Sequence, residues 1–192
     1  MPSSSNKKLL ILYILEVLKK HSDESHPLLQ KQIVKLVEDM SGIVCERKTI
    51  ASNIDALNDF FFSLNTDLCI NKVGRKGWYL SGRAFEKSEL QYLIDYLLTS
   101  KSIPAKYAKD ITEKLLAEES ENIVKKFRYI CNAGAIARVD NKQIFAIIDK
   151  INLAIDNNKK LSFCYLEYNT AKKLVAKKDG KRYVVSPYFM QN

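Results

Sequence analysis

A short segment that begins at Cys45, CERKTIASNIDALNDFFFSL, carries a cluster of residues whose chemistry suits contact with nucleic acid. Two of them are basic and three carry hydroxyl or amide groups: Arg47, Lys48, Thr49, Ser52 and Asn53. The basic pair can neutralise phosphates, whereas the hydroxyl and amide groups can hydrogen-bond to base edges, asparagine with a particular fit to adenine. This set of residues therefore predicts DNA recognition.

The apolar residues of the same segment indicate how those side chains are positioned. They recur at i, i+4, i+7 and i+11, the spacing of one face of an α-helix: Ile50, Ile54, Leu57 and Phe61. At about 100° per residue, Lys48, Thr49 and Ser52 fall on the opposite side of that helix. Such a helix fits the major groove of DNA. Because phosphates would repel Asp55 and Asp59, we expect only its first two turns to enter.

Two helical patterns precede this segment, over residues 7–20 and 29–40, and a hairpin pattern follows it. The short runs LCINKV and GWYLSG flank the turn GRKG, which places Arg75 and Lys76 at a hairpin tip. Three helices followed by a hairpin is the order of elements in a winged helix-turn-helix, whose wing contacts the DNA backbone. The alternative is a surface helix with an ordinary solvated face beside a soluble turn.

Beyond this region, helical patterns give way to strand patterns. A helical region ends in a loop around Gly134, a further helix begins near Asn141, and Asp179–Gly180 predicts a hairpin turn between strands. We therefore expect an α+β protein with this organisation: a disordered tail over residues 1–6, a winged helix-turn-helix over 7–84, a helical linker over 85–135 and a strand-containing domain over 136–192.

The charge of the chain favours a polyanionic partner. Of the net charge of +9, residues 1–84 contribute +3, residues 85–135 are neutral, and residues 136–192 contribute +6. Basic surpluses at both ends fit a nucleic acid. No apolar run approaches the ~20 residues of a membrane span. The run LLILYILEVL at Leu9 lacks a signal-peptide cleavage site, so we expect a cytoplasmic protein without membrane association.

Motifs for enzymatic chemistry and metal binding are absent from the sequence. There is no G-x-S-x-G, P-loop or H-E-x-x-H, and the only histidines, His21 and His26, lie in one short polar stretch that predicts a surface loop. The cysteines are widely spaced and form no C-x-x-C pair: Cys45, Cys69, Cys131 and Cys164. We expect reduced thiols, no metal site, no cofactor and no enzymatic activity. Besides a DNA-binding protein, a non-enzymatic RNA- or single-stranded-DNA-binding protein or a dimerisation adaptor remains open.

Three separated stretches resemble bacterial transcriptional regulators that combine a winged helix-turn-helix with a WYL domain. ERKTIASNIDAL is similar to their recognition helix, although Ser52–Asn53 stand where members often carry Arg-Asp. RKGWYLSGRAFEKSELQYLIDYLLTSKSI resembles the wing and the linker helix after it, and LSFCYLEYN through DGKRYVVSPYFM resembles the first strands of the WYL domain, a small Sm-like β-barrel. The resemblance implies transcription regulation through double-stranded DNA, and we expect a homodimer on two half-sites.

The resemblance also implies a role for the domain over 136–192, which would bind a nucleotide or nucleic-acid effector and pass its occupancy to the DNA-binding half. The candidate contacts are the following: Tyr165, Tyr183, Ser186 and Tyr188. Their alternative role is aromatic packing between strands. The tripeptide that names the domain would follow SPYFM beyond Asn192, so we expect an incomplete barrel with an open strand edge, in a truncated or a naturally short chain.

Overall fold

The fold of the chain, taken from a computed structural model, belongs to the mixed α+β class. The structure describes residues 8–127 and 142–190, so the expected tail over residues 1–6 and the expected boundary at 135/136 lie outside the described residues. Contacts divide the chain into two compact units, Met1–Val139 and Asp140–Asn192. The expected boundary between residues 84 and 85 falls inside the first unit.

The first unit begins with three helices and a β-hairpin. Their bounds are α1 (Leu10–His21), α2 (Gln30–Ser41), α3 (Arg47–Ser63), β1 (Cys69–Val73) and β2 (Gly77–Ser81). The helices pack against one another in pairs, and their apolar stripes form one buried cluster with residues of the hairpin. The predicted stripe of α3 is confirmed, because all of its members are buried: Ile50, Ile54, Leu57 and Phe61.

The hairpin has the predicted form. β1 and β2 pair antiparallel with Val73 opposite Gly77, which places the turn at residues 74–76. The loop between α1 and α2 contributes a further short pairing to this sheet, in which Leu28 and Trp78 exchange two backbone hydrogen bonds of 2.8 Å. Gly77 permits the close approach, since its φ is +120° and a Cβ there would lie 2.1 Å from the carbonyl oxygen of Leu28.

Three further helices complete the described part of the first unit. They are α4 (Lys87–Thr99), α5 (Ala105–Ala117) and α6 (Glu121–Phe127). Pro104 stands directly before α5, where its missing amide is harmless. These helices bury a second apolar cluster of their own, which is formed by Leu90, Ile94, Leu116 and Phe127. The helices predicted after the hairpin are therefore present, and they have their own core.

The second unit contains one helix and four short strands among its described residues. Their bounds are α7 (Ile144–Asp156), β3 (Leu161–Cys164), β4 (Leu166–Tyr168), β5 (Leu174–Ala176) and β6 (Arg182–Val185). β3 pairs with β6 and β4 with β5, both antiparallel. Each pair is a two-stranded sheet, and over residues 142–190 they close no barrel.

The predicted hairpin turn at Asp179–Gly180 is only half right. The chain does turn there, through a short 3-10 segment in which Lys178 and Asp179 adopt left-handed φ values of 50° and 53°. However, the flanking strands β5 and β6 pair with β4 and β3 and not with each other. The turn thus lies between β5 and β6, which belong to two separate strand pairs, and the loop that joins β4 to β5 lies at Asn169–Lys173.

Candidate nucleic-acid interface

The polar face of α3 points away from the helices against which α3 packs. Arg47, Lys48 and Ser52 are exposed, whereas Thr49 and Asn53 are half-buried at the edge of that face. Neither Arg47 nor Lys48 forms an ion pair with another residue of the described ranges 8–127 and 142–190. Both cations therefore remain available to an external anion.

The first turn of α3 is electrostatically suited to a negative partner. Glu46 occupies the N-cap position and makes no side-chain cap to the first amides of the helix. Uncapped amides at a helix N-terminus carry a partial positive charge, which adds to the charges of Arg47 and Lys48. An anionic group close to this turn would meet both sources of positive charge, which the exposed carboxylate of Glu46 partly offsets.

Asn53 is less free than its exposure alone suggests. Its Nδ2 donates a hydrogen bond of 2.7 Å to the backbone oxygen of Thr49, one helical turn earlier. The side-chain oxygen of Asn53 is still an acceptor, but the two-bond contact of asparagine with adenine needs the amide nitrogen as well. The second hydrogen of Nδ2 remains available for that contact, although the bond to Thr49 restricts the orientation of the side chain.

The hairpin tip lies beside the loop that joins α1 and α2. Arg75 and Lys76 are exposed, and the Lys76 amide closes the turn onto the carbonyl of Val73 at 2.7 Å. An open cleft of about 590 Å³ separates these two basic residues from His26 and Gln32. The tip thus presents two positive charges at the end of a sheet whose base is fixed by the Leu28–Trp78 pairing.

Several residues that hold this surface together are invisible to sequence patterns. The hydroxyl oxygen of Ser22 accepts a hydrogen bond of 3.1 Å from the amide of Leu80, and Leu28 pairs with Trp78. Neither contact has a local signal in the sequence, since Pro27 biases only His26, the residue before it, towards extended backbone. The hairpin is therefore attached to α1 and to the α1–α2 loop by contacts 58 and 50 residues apart in the chain.

The two histidines lie at the end of α1 and in the loop after it. His26 Nδ1 lies 2.8 Å from Asp23 Oδ1, and His21 Nδ1 lies 3.5 Å from Glu121 Oε2. Partial burial alone would raise the pKa of Asp23, but hydrogen bonds from His26 and Ser120 outweigh it and lower that pKa below its ordinary value. Both histidines thus have carboxylate partners.

The candidate effector residues of the second unit are partly brought together. Tyr165 and Tyr183 make an edge-to-face contact with ring centroids 5.0 Å apart, and Phe163 packs against both. Tyr165 is 52% exposed, so a ring face or edge remains open to solvent. Ser186 and Tyr188 follow β6 and are exposed. We call Phe163, Tyr165 and Tyr183 the aromatic triad.

A basic side chain accompanies the aromatic triad. Lys181 Nζ lies 5.7 Å from the centroid of the Tyr183 ring, within the range of a cation–π contact. Aromatic packing between strands, the alternative role of these tyrosines, accounts for the contact between Tyr165 and Tyr183. It does not account for the exposed area of Tyr165.

The remaining polar chemistry of the described residues is limited. Cys45, Cys69 and Cys164 are free thiols, and Cys131 lies outside the described residues. Burial, together with the nearby charge of Glu38, raises the pKa of the Cys45 thiol and so makes it less reactive. The parts of the chain that the structure covers contain no group of three or more metal-binding side chains. They also contain no helix that is long and apolar enough to span a bilayer.

The chain was compared with protein-family models, curated proteins and solved structures. No family model, curated protein or solved structure matches the chain.

Proposed function

We propose that this chain is a sequence-specific, DNA-binding transcription regulator whose first unit is a winged helix-turn-helix. The observation that carries the proposal is the outward face of α3, on which Arg47, Lys48 and Ser52 are exposed and not covered by the described helices of the first unit. A DNA-reading helix needs such a face together with an apolar face that anchors it. In the first two turns of α3 the two faces are separated, whereas Phe60 and Phe62 are exposed near the end of the helix.

The roles of the residues follow from their chemistry. Arg47 and Lys48 neutralise phosphates beside the first turn of α3, while Ser52 and Asn53, with Thr49 at the edge, contact base edges in the major groove. Asp55 and Asp59 are exposed further along α3, which limits the insertion to its first two turns. The proposed contacts from Arg47 to Asn53 lie within about two helical turns, and Asp55 and Asp59 follow them along α3.

The hairpin supplies a second contact with the duplex. Arg75 and Lys76 at its tip bind backbone phosphates and carry no sequence preference of their own. Because the sheet is paired to Leu28 and its Leu80 amide is bonded to Ser22, the tip keeps a fixed position relative to α1 and the α1–α2 loop. We further propose that two copies bind two half-sites, as symmetric DNA-binding dimers do.

The second unit is proposed to be the start of a WYL-type, Sm-like barrel that senses a nucleotide or nucleic-acid effector. The aromatic triad with Lys181 supports this role, because base stacking on an exposed tyrosine and a nearby positive charge are what a nucleotide uses. Ser186 and Tyr188 are the other proposed contacts. The surplus charge of +6 over residues 136–192 favours the same class of ligand.

The experiment that tests the regulator is selection of bound duplexes from a random pool. We expect an enriched motif, and we expect Ser52→Ala or Asn53→Ala to change that motif. Arg47→Ala is the control, since a lost phosphate contact weakens binding to all duplexes about equally. Failure to enrich any motif contradicts sequence-specific binding, and equal losses on cognate and random sites in the Ser52 and Asn53 variants contradict base contact.

The rival is an RNA- or single-stranded-DNA-binding protein or a dimerisation adaptor. It is distinguished by comparing duplex, single-stranded and RNA ligands of one sequence at several salt concentrations. The regulator predicts salt-dependent duplex binding that is abolished by the Lys48→Ala/Ser52→Ala double substitution. Comparable affinity for single strands or RNA favours the nucleic-acid adaptor, and the absence of binding to any of the ligands favours the dimerisation adaptor.

A further inference from the structure

The two buried apolar clusters of the first unit are separate: among the described residues they share no member. One is formed by α1–α3 with the hairpin and the other by α4–α6. Where the two groups of elements meet, the described contacts include a dense set of hydrogen bonds and ion pairs. We call this contact region, made by residues 19–23, 83 and 118–122, the polar junction.

Arg83 lies at the centre of the polar junction, with its side chain only 11% exposed. Its Nη1 donates to the carbonyl of Glu118 at 2.7 Å, and its Nη2 donates to the carbonyls of Lys19 at 2.6 Å and Ser22 at 3.1 Å. These carbonyls belong to the ends of α1 and α5, where carbonyls lack partners inside the helix and carry partial negative charge. One guanidinium therefore satisfies two helix ends at once.

The acidic partner of Arg83 is held in poor geometry. Glu119 is 7% exposed, and its Oε2 lies 3.7 Å from Arg83 Nε, too far for a hydrogen bond. Arg83 Nε is itself buried without a hydrogen-bond partner in the described structure. Burial raises the pKa of Glu119, and the charge of Arg83 counters this only in part. A buried ion pair of this kind adds little net stability.

The rim of the polar junction is also polar. Lys19 Nζ and Glu118 Oε2 form an ion pair of 2.6 Å, and the Ser120 hydroxyl donates to Asp23 Oδ2 at 2.9 Å. The Lys19–Glu118 pair is open to solvent and contributes little, whereas Ser120 is fully buried and the Asp23 side chain is only 13% exposed. Contact regions between independently packed cores are typically polar, and such cores open as separate cooperative units.

We propose that the polar junction is a conformational latch, with Arg83 as the residue that closes it. In the closed state Arg83 holds α4–α6 against the end of α1. In the open state the first apolar cluster stays folded, whereas α4–α6 are released from α1 and lose their helical hydrogen bonds as one cooperative unit. The latch goes beyond DNA binding, because it describes how the two halves of the first unit are coupled whatever either half binds.

The wild-type chain tests the latch without any substitution. Native-state hydrogen exchange is measured on the full chain over increasing, sub-denaturing urea. We expect the amides of Leu90 and Ile94 in α4 to exchange through an opening whose free energy depends weakly on urea. The amides of Ile14 and Ile54, in α1 and α3, should exchange through an opening with a stronger urea dependence. Exchange of both sets through one common global unfolding would overturn the proposal.

A variant tests the role of Arg83 in the same measurement. We expect Arg83→Ala to accelerate amide exchange in α4–α6 at least about tenfold and to change exchange in α1–α3 by less than about threefold. The reason is that the variant leaves Glu119 and three carbonyls without their polar partner. Arg83→Lys should behave alike, since an ammonium cannot reach all three carbonyls. Lys101→Ala, an exposed cation outside the polar junction, is the control and should leave both sets unchanged.

Trp78, the only tryptophan of the chain, gives an independent readout because it packs against the first cluster. In Arg83→Ala its fluorescence should report a urea midpoint above the one at which α4–α6 lose protection. Equal acceleration in both regions, or coincident midpoints in both Arg83 variants, would refute the latch. Neither measurement involves DNA, so the outcome is independent of duplex binding.

Discussion

The side-chain amide of Asn58 in α3 forms both hydrogen bonds that a neighbouring strand would offer to Ile70 in β1. Asn58 Oδ1 accepts from the Ile70 amide at 2.8 Å, and Asn58 Nδ2 donates to the Ile70 carbonyl at 3.0 Å. Ile70 itself is buried in the first apolar cluster. The free edge of β1 is thereby joined to α3, and the positions of the helix and the hairpin depend on each other.

We expect Asn58→Ala to lower the free energy of unfolding of the first unit by about 2 kcal/mol, because two partly buried hydrogen bonds are lost at about 1 kcal/mol each. Urea titration followed by Trp78 fluorescence measures the loss. Asp55→Ala, an exposed substitution on the same helix, is the control and should change it by less than about 0.5 kcal/mol. A similar loss in both variants would mean that the Asn58–Ile70 bonds are not the cause.

Two glycines of the hairpin provide a matched pair. Gly77→Ala should destabilise the first unit by about 3 kcal/mol, because its Cβ would collide with the Leu28 carbonyl and its φ is +120°. Gly74→Ala has a φ of +46° and open space around the new Cβ, so only about 1 kcal/mol of backbone strain is expected. Thermal unfolding of both variants measures the difference. Equal shifts would show that the approach of Leu28 does not constrain residue 77.

Asp23 predicts a defined pH dependence. Its pKa lies below the ordinary 3.8, so the ionised carboxylate stabilises the fold above that pH and this contribution disappears as the pH falls through the lowered pKa. We expect Asp23→Asn to cost about 1 kcal/mol at pH 7. Measured by urea titration from pH 7 to 2.5, the gap to the wild type should shrink below about pH 4. A gap that stays constant would contradict the lowered pKa.

The pH dependence of stability that Glu119 causes should have the opposite sign to that of Asp23. Burial raises its pKa above the ordinary 4.5, so its contribution to stability is full below pH 4.5 and is lost as the pH rises through the raised pKa. Glu119→Gln should therefore remove part of the gain in stability that the wild type shows on mild acidification. The control is Glu113→Gln, an exposed glutamate of α5. Identical pH profiles for the wild type and Glu119→Gln would exclude the effect.

The basic hairpin tip can be tested through the salt dependence of duplex binding. If Lys76 contacts one phosphate, Lys76→Ala should weaken binding to all sequences alike and reduce the slope of log affinity against log salt by about one unit. Lys87→Ala, which removes an exposed charge at the start of α4, should leave the slope unchanged. An unchanged slope in Lys76→Ala would remove the hairpin tip from the interface.

The aromatic triad can be tested with a nucleotide as probe. Tyr165→Ala should weaken binding of a fluorescently labelled mononucleotide by roughly 1–3 kcal/mol, the value of one stacked base, as measured by fluorescence anisotropy. Tyr168→Ala removes an exposed tyrosine of β4 that makes no ring contact within the described residues, and it should have little effect. Equal effects of the two substitutions would indicate non-specific stacking.

Local patterns were enough to predict the parts of this fold that depend on local physics. The helical stripe of α3 and the hairpin around residues 74–76 are set by period and turn chemistry, and both have the predicted form. The turn at Asp179–Gly180 shows where such signals end. The chain does turn at the predicted residues, but β5 and β6 do not pair with each other. Strand pairing is decided by contacts with β3 and β4, which the turn residues do not determine.

The contacts that position the candidate interface could not be predicted in the same way. Arg83 bonds to a carbonyl 64 residues earlier, and Asn58 supplies strand-like bonds from within a helix. Neither of these two interactions produces a periodic pattern of residues from which it could be predicted. The residue types of the α3 face were evident from the sequence, but the bond from Asn53 to Thr49, which reduces the donors of that face, was not.

The two faces of α3 are under different physical constraints. Ile50 and Ile54 are fully enclosed, so a change of volume there disturbs the packing of the whole first unit. Lys48 and Ser52 contribute little to that packing, so substitution there leaves the scaffold intact. The chemistry of the outer face can therefore change through a few point mutations while the architecture of the first unit is retained.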